Sequence, residues 1–316
     1  SDRLVGSEMC IRDRFGALFQ SVVDKDERRR SGIHYTTEQN IMKLIGPLFM
    51  EDLWTEYYTL VSKRREKARL LNEFHEKLAS LKVFDPACGC GNFLVIAYRE
   101  LRDLEIAVLK ELIAGPQLKL DVRVYSRINV DQFYGIELYE FPAKIAQVAM
   151  WMMDHIMNNK LSLEFGQSFA RIPLAATANV YKGDALDIDW KGLLSCQDCS
   201  YVLGNPPFIG AKYQSHVQRQ QISKIANIPN RVGTLDYVAA WIVKGCEYIN
   251  ATEAKMAFVS TNSITQGEQV SQLWGVLNDR VNIGILFAHK TFAWGSDARG
   301  AANVHVVILG FCNEGM

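Results

Sequence analysis

The sequence has no hydrophobic stretch approaching the roughly 18 uninterrupted apolar residues that suggest a membrane span, so no membrane role is expected. Excess charge of either sign is missing too. Thirty-five Lys and Arg balance 35 Asp and Glu across 316 residues. That leaves no global attraction to a polyanion, and any grip on nucleic-acid phosphates has to come from local patches. Candidate patches are Arg28-Arg29-Arg30, Lys212 with Arg219, and Arg280 with Lys290. Each could equally be a solvated face, and Lys212 stands out only through the motif it follows. The cysteines, 7 in all, are odd in number and lack the spacing of a disulfide framework, which suits a reducing cytoplasm. Proline is scarce at 8 residues, which makes the adjacent pair Pro206-Pro207 conspicuous. With 48% hydrophobic residues the chain can bury a full core, and one large α/β domain is expected.

The proline pair ends an apolar run, Tyr201-Val202-Leu203-Gly204, and is framed as Asn205-Pro206-Pro207-Phe208. A buried strand is predicted to stop there. Proline fixes its own φ and restricts the residue before it, so Asn205 and Pro206 are held extended. The Asn205 side-chain oxygen and the Pro206 carbonyl can then point together into a cleft, with Phe208 offering a flat face. Such a cleft receives a planar aromatic amine. Two preorganised acceptors on its protons favour a more pyramidal nitrogen with the lone pair free for attack. The plainer alternative is a strand-to-loop turn, since Asn-Pro is a common turn former.

Upstream, Val83-Phe84-Asp85-Pro86-Ala87-Cys88-Gly89-Cys90-Gly91-Asn92-Phe93-Leu94 has the layout strand, acid, Gly-x-Gly turn, helix. The glycines allow φ > 0 and close passage of a ligand. A dinucleotide fingerprint wants a small residue where Leu94 stands, and no Gly-Lys-Ser/Thr follows to cradle a phosphate. Gln132-Phe133-Tyr134-Gly135-Ile136-Glu137 reads as a second strand ending in a carboxylate, where ribose hydroxyls can be bound. Its distance from the glycines far exceeds the roughly 20 residues of a dinucleotide unit, which argues against a dehydrogenase. Arg99 to Asp131 must hold a long helix plus an insertion. Cys88-x-Cys90 with Cys196-x-x-Cys199 has zinc-like spacing, but the first pair lies in a turn that already has a use, and no metal is expected. Glu253-Ala254-Lys255 has nuclease spacing without a preceding Pro-Asp.

On these residues the chain resembles the gamma class of amino-methylating, S-adenosylmethionine (SAM)-dependent DNA methyltransferases, whose catalytic tetrapeptide is Asn/Asp-Pro-Pro-aromatic. Their glycine motif, Asp-Pro-Ala-Cys-Gly-Ser-Gly, is matched with Cys90 in place of serine. The resemblance implies a Rossmann-like class I SAM-dependent methyltransferase fold: a mostly parallel sheet, an antiparallel edge strand, and helices on both faces. It also implies roles. Asp85, Pro86, Ala87, Cys88, Gly89, Gly91, Asn92 and Phe93 would line the cofactor, Glu137 would hold its ribose, and Asn205 would border it. Asp184 and Ala185, in Val180-Tyr181-Lys182-Gly183-Asp184-Ala185-Leu186, match the segment whose aspartate accepts from the SAM adenine amine. Gly32-Ile33-His34-Tyr35-Thr36-Thr37-Glu38 is similar to the Gly-x-Tyr/Phe-Thr-Pro element over the methionine end of SAM, with Glu38 replacing the proline. Tyr35, Thr36 and Thr37 would belong to the cofactor site, and Thr37 could N-cap a helix from Asn40 to about Phe49.

The implied reaction is direct transfer to the N6 amine of adenine in double-stranded DNA. Asn205, Pro206, Pro207 and Phe208 are its catalytic residues, and Phe208, Lys212, Phe292 and Trp294 contact the substrate. A cytosine C5 enzyme would need a Pro-Cys pair, which is lacking. More specifically, Gly204-Asn-Pro-Pro-Phe-Ile-Gly-Ala-Lys-Tyr213 and the long apolar strand Asn303 to Phe311 resemble the fused restriction-modification enzymes of the MmeI type. In those a nuclease precedes this region and a target-recognition domain follows, so the chain reads as a prokaryotic fragment. Residues 1–14 resemble translated adaptor and are set aside. Residues 15–81 read as a helical cap and spacer, with amphipathic spacing from Glu51 to Leu81. Residues 82–316 read as the catalytic domain. Protein glutamine-amide methyltransferases share Asn-Pro-Pro but use tyrosine next, and a non-catalytic DNA-binding module remains the third reading.

Overall fold

In the computed structural model, residues 36–113, 125–166, 177–227, 234–294 and 304–314 are described, with backbone alone at 293, 294 and 304. The chain opens with α1 (Glu38–Ile45), a π-helical turn (Gly46–Met50), α2 (Glu51–Ser62) and α3 (Lys67–Ser80). Thr37 occupies the N-cap, but its side chain makes no capping bond, and the helix starts at Glu38 rather than Asn40. The Thr37 carbonyl instead accepts from the Asn40 and Ile41 amides at 3.1 and 3.0 Å.

An α/β alternation follows: β1 (Val83–Asp85), α4 (Asn92–Leu112), β2 (Phe133–Glu137), α5 (Glu140–Glu164), β3 (Asn179–Lys182), α6 (Trp190–Leu193) and β4 (Tyr201–Gly204). After these come α7 (His216–Ala226), α8 (Val238–Ile249), β5 (Lys255–Thr261), α9 (Glu268–Arg280), β6 (Ile283–Trp294) and β7 (Val304–Asn313). They form a 7-stranded sheet in the order β3-β2-β1-β4-β5-β7-β6, a class I methyltransferase arrangement. Strands β1 to β5 pair in parallel, whereas β7 is antiparallel to both β5 and β6. The last two strands form an antiparallel hairpin at one edge of the sheet. The chain passes through β6 first, and β7 then fills the place beside β5, leaving β6 at the edge.

Successive strand residues point to opposite faces, and the core divides accordingly. Val83, Phe133, Leu203, Ala257, Val259 and Ile308 pack with α1 to α5. Phe84, Ile136, Val202, Met256, Phe258 and Leu309 pack with α6 to α9. The helices before β1 therefore share a core with the sheet: Leu44, Leu48, Leu71 and Leu78 are fully buried in the first of these clusters. A buried polar tie adds to this. The Glu105 carboxylate on α4 accepts from His75 Nε2 on α3 at 2.8 Å and from the Arg127 and Ile128 amides at 2.6 and 3.0 Å. Arg102 lies beside the same carboxylate, with Nε 3.0 Å from Glu105 Oε2.

Among the described residues no helix is long and apolar enough to cross a membrane.

Candidate active site

The order of strands reverses between β1 and β4: β2 and β3 lie on one side of β1, β4 and β5 on the other. Open α/β sheets bind ligands at such a switch point, beyond the carboxyl ends of the strands. The Gly-x-Gly turn leaves β1 there, Glu137 ends β2, and Asn205 follows β4.

The turn is built by its backbone. Gly89 and Gly91 have φ of 55° and 85°, a region that suits glycine. A Cβ on Gly91 would stand 3.0 Å from Ala146 Cβ, so α5 can close against the turn only if residue 91 has no side chain. The Cys88 amide donates to the Ile136 carbonyl at 3.0 Å, fastening the turn to β2. Cys88 itself is buried, which pushes its thiol well above the usual range. Its side chain supports the turn from below, as does Phe93 at the start of α4. Pro86 is buried as well, and its carbonyl accepts from Trp241 Nε1 at 3.4 Å. Ala87, Gly89 and Asn92 remain partly exposed along the rim.

Two carboxylates flank this turn. Glu137 accepts from the Gly89 amide at 3.1 Å through Oε2 and from the Tyr139 amide at 3.0 Å through Oε1. Burial raises its pKa while those amides oppose the shift. Asp85 is fully buried, and burial pushes its carboxyl up to about 8. Its Oδ1 accepts from the Ala87 amide at 2.9 Å, but Oδ2 has no partner among the described residues.

The tetrapeptide sits on the neighbouring strand end. Asn205 Nδ2 donates to Thr36 Oγ1 at 3.1 Å, and Asn205 Oδ1 is buried without a partner among the described residues. Pro206 is buried, while Pro207 and Phe208 are partly exposed. Behind them the Ile209 carbonyl accepts from the Tyr237 amide at 2.9 Å and from Gln214 Nε2 at 3.2 Å. Buried Asp236 accepts from Thr261 Oγ1 and Ser263 Oγ at 2.7 and 2.8 Å, linking this support to β5. The strand end is thus held from behind, which keeps its acceptors in place before any ligand arrives.

Asp184 lies at the far end of the crevice. Its Oδ1 accepts from the Leu186 amide at 2.9 Å, and its Oδ2 from Gln221 Nε2 at 2.8 Å. Gln221 Oε1 in turn accepts from the Tyr237 hydroxyl at 2.6 Å. Sequence reading missed Gln221, Gln214 and Asp236. Polar residues beside apolar segments were their only signal. The Ala185 carbonyl is already taken by Trp190 Nε1 and Lys244 Nζ, both at 2.8 Å. Lys212 is exposed in a short turn beside Tyr213, whose side chain is 79% exposed. Phe292 is partly buried, with Lys43 Nζ 4.3 Å from its ring centroid. Tyr35 and the Trp294 side chain fall outside the described residues.

The same geometry has relatives. The family profile "MmeI, DNA-methyltransferase domain" matches residues 61–316. "DNA methyltransferase A" of Bacillus subtilis (strain 168) is 37% identical over 302 residues, covering 95% of this chain. The structure of the Type IIL restriction-modification enzyme MmeI in complex with DNA superposes with a TM-score of 0.88 at 52% identity, covering 94% of this chain. This chain spans 33% of the Bacillus relative's length and 39% of the MmeI chain. By profile, sequence and superposition, the chain belongs to the family of the MmeI DNA-methyltransferase domain.

Proposed function

We propose that this chain is the methyl-transferring part of a restriction-modification enzyme that uses SAM to methylate the N6 amine of adenine in double-stranded DNA. One observation carries the reading: two buried polar atoms, Asp85 Oδ2 and Asn205 Oδ1, have no partner among the described residues and lie at the ends of adjacent strands. A buried polar atom without a partner costs about 1–3 kcal/mol, so the crevice is matched to ligands that meet both, a cation beside Asp85 and an N–H at Asn205. The donor set suits SAM. The glycine turn offers close backbone approach, Glu137 faces the place of a ribose, and the Asp184 carboxylate, which accepts from Gln221 and Leu186, keeps lone pairs for an adenine amine. Asp85, acidic and dehydrated, favours a cationic neighbour.

SAM supplies a methyl group on a positively charged sulfur. The protein supplies alignment. The adenine must leave the duplex, because its amine cannot meet the methyl in line within the stack. Phe208 stacks on the extruded base, while Asn205 Oδ1 and the Pro206 carbonyl accept from its amine and turn the nitrogen lone pair toward the methyl carbon. Held geometry of this kind lowers a barrier chiefly by removing orientational freedom. Pro207 keeps the loop stiff, Phe292 and Trp294 border the base, and Lys212 meets a phosphate. The same acceptors would take a glutamine amide, but Phe208 in place of tyrosine and the DNA methyltransferase relatives favour a base. A nuclease and a target-recognition domain complete the full-length protein, which works in a reducing prokaryotic cytoplasm.

The test is calorimetric titration of SAM into the folded chain, with NAD as comparator and Glu137→Ala as control. Micromolar SAM binding, lost in the variant and absent for NAD, supports the reading. No SAM binding by a folded chain overturns its cofactor half.

A further inference from the structure

At the Asp184 end of the crevice, the side chains able to donate have already committed their protons. Gln221 Nε2 carries two protons and meets two carboxylates, Asp184 Oδ2 at 2.8 Å and Asp187 Oδ2 at 3.2 Å. A carboxylate only accepts, so the nitrogen end of this amide has to face the pair. Its Oε1 is left to accept, and it takes the Tyr237 hydroxyl at 2.6 Å. Lys244 is spent in the same way. Its Nζ donates to the Ala185, Leu186 and Ile188 carbonyls at 2.8, 3.0 and 2.6 Å, a partner for each ammonium proton.

What Asp184 offers a ligand is therefore acceptor. The Leu186 amide and Gln221 take one lone pair from each of its oxygens and leave the others. Gln221 reaches it across 37 positions of sequence and is held in place. The side chain is 7% exposed, which limits competition from water. Its helix, α7, begins with a Ser215–Gln218 capping box and buries Ile222 and Ala226. Arg280 donates to the Ile225 carbonyl near the other end at 2.9 Å. Tyr237 is fixed as well, through its amide on the Ile209 carbonyl.

We infer that Gln221 is a positioning residue that sets cofactor specificity: it clamps the Asp184 carboxylate by one oxygen and withholds its own protons from the ligand, so that this end of the crevice takes a purine with a 6-amino group and refuses one with a 6-oxo group. The inference rests on reading the crevice as a SAM site. A 6-amino group brings protons to the free lone pairs of Asp184. A 6-oxo group sets its oxygen against the carboxylate with no proton between them, and a mismatch of that kind is how a polar site rejects a near-identical ligand. Without the clamp the carboxylate can turn, and its acceptors lose their fixed direction.

Calorimetry of the chain with S-adenosylhomocysteine and S-inosylhomocysteine tests this, since one carries a 6-amino and the other a 6-oxo purine. Wild type should prefer the adenosyl compound by about ten- to a hundredfold, the scale of a hydrogen bond to a charged group. Gln221→Met keeps the length of the side chain and removes both protons. It should shrink the preference to about threefold or less, through weaker adenosyl binding with inosyl binding little changed. Asp184→Asn can turn an N–H toward the 6-oxo group and should erase the preference, and adding Gln221→Met to it should change little more, because the two residues act as one unit. Should Gln221→Met fail to fold, Gln221→Asn withdraws the amide by one methylene and is expected to shrink the preference in the same way. An equal loss for both compounds marks a merely structural role and overturns the inference, as does a preference unchanged in the variants or absent from wild type. A folded chain that binds neither compound overturns the SAM reading itself, and the inference with it.

Discussion

Gly204 passes so close to Asp85 that a Cβ at residue 204 would stand 2.5 Å from Asp85 Oδ1, with the Gly204 φ at 154°. The last residue before Asn205 and the acid that opens the glycine turn therefore share one small space, and glycine is what makes it large enough. Gly204→Ala must push β4 away from β1. The expected cost is about 1–3 kcal/mol of stability, as for other overpacked sites, together with loss of SAM binding. Thermal denaturation and calorimetry on the same variant measure both. A variant as stable and as tightly binding as wild type would contradict the packing described.

Asp85 also sets a pH dependence. Burial raises its carboxyl from 3.8 to about 8 in the folded chain. The folded state thus holds a proton that the unfolded state has released. The stability this contributes is present in full below about pH 4 and is lost as pH rises toward 8. Denaturation midpoints of wild type relative to Asp85→Asn should fall across that window, and a flat difference would refute it. A cation beside Oδ2 favours the ionised acid, so SAM binding should release a proton and tighten up to about pH 8. Titration in buffers of different ionisation enthalpy detects that proton.

Asn205→Ala should lower methyl transfer by about a hundred- to a thousandfold, the scale of losing one preorganised polar contact to a transition state. Phe208→Ala should weaken DNA binding and transfer through lost stacking, worth about 1–3 kcal/mol per base. Stopped-flow and single-turnover rates separate the two. Transfer that persisted in Asn205→Ala would rule out the proposed mechanism.

The polar tie between α3 and α4 predicts a purely structural effect. Arg102 is 1% exposed and Glu105 is fully buried. The hydrogen bond from His75 and the charge of Arg102 hold the Glu105 carboxyl below the usual range against the upward push of burial. Glu105→Ala removes the nearer of two carboxylates beside the guanidinium, Asp154 being the other at 3.3 Å, and strips His75 and the Arg127 and Ile128 amides of their acceptor; a broken buried pair costs about 3–5 kcal/mol. Equilibrium denaturation should show that loss. SAM affinity of the fraction that remains folded should be unchanged, because the tie lies away from the strand ends that carry the site.

Some of this was legible early because it is local chemistry. Two prolines after a short apolar run mark a strand end wherever they occur, and Gly89 and Gly91 mark a turn before a helix. The strands at Val83, Phe133 and Tyr201 follow from short apolar runs that end in an acid or at the prolines. Other expectations were adjusted by packing. The helix after Thr37 begins earlier than its cap chemistry suggested, since backbone carbonyl bonds replaced the threonine side chain. The final strand pairs on both sides, with β5 from Met256 to Thr261 and with β6 from Ile283 to Trp294.

By itself the sequence determined the order of the motifs, the strand ends that carry them and the class of chemistry, because each is written in contiguous residues with their own backbone preferences. Only the tertiary structure decided that Asn205 meets Thr36, that Asp85 keeps one oxygen without a partner among the described residues, and that Gln221 stands beside Asp184. Those outcomes depend on donors and acceptors that lie far apart in the chain, and on which of them packing leaves without a partner.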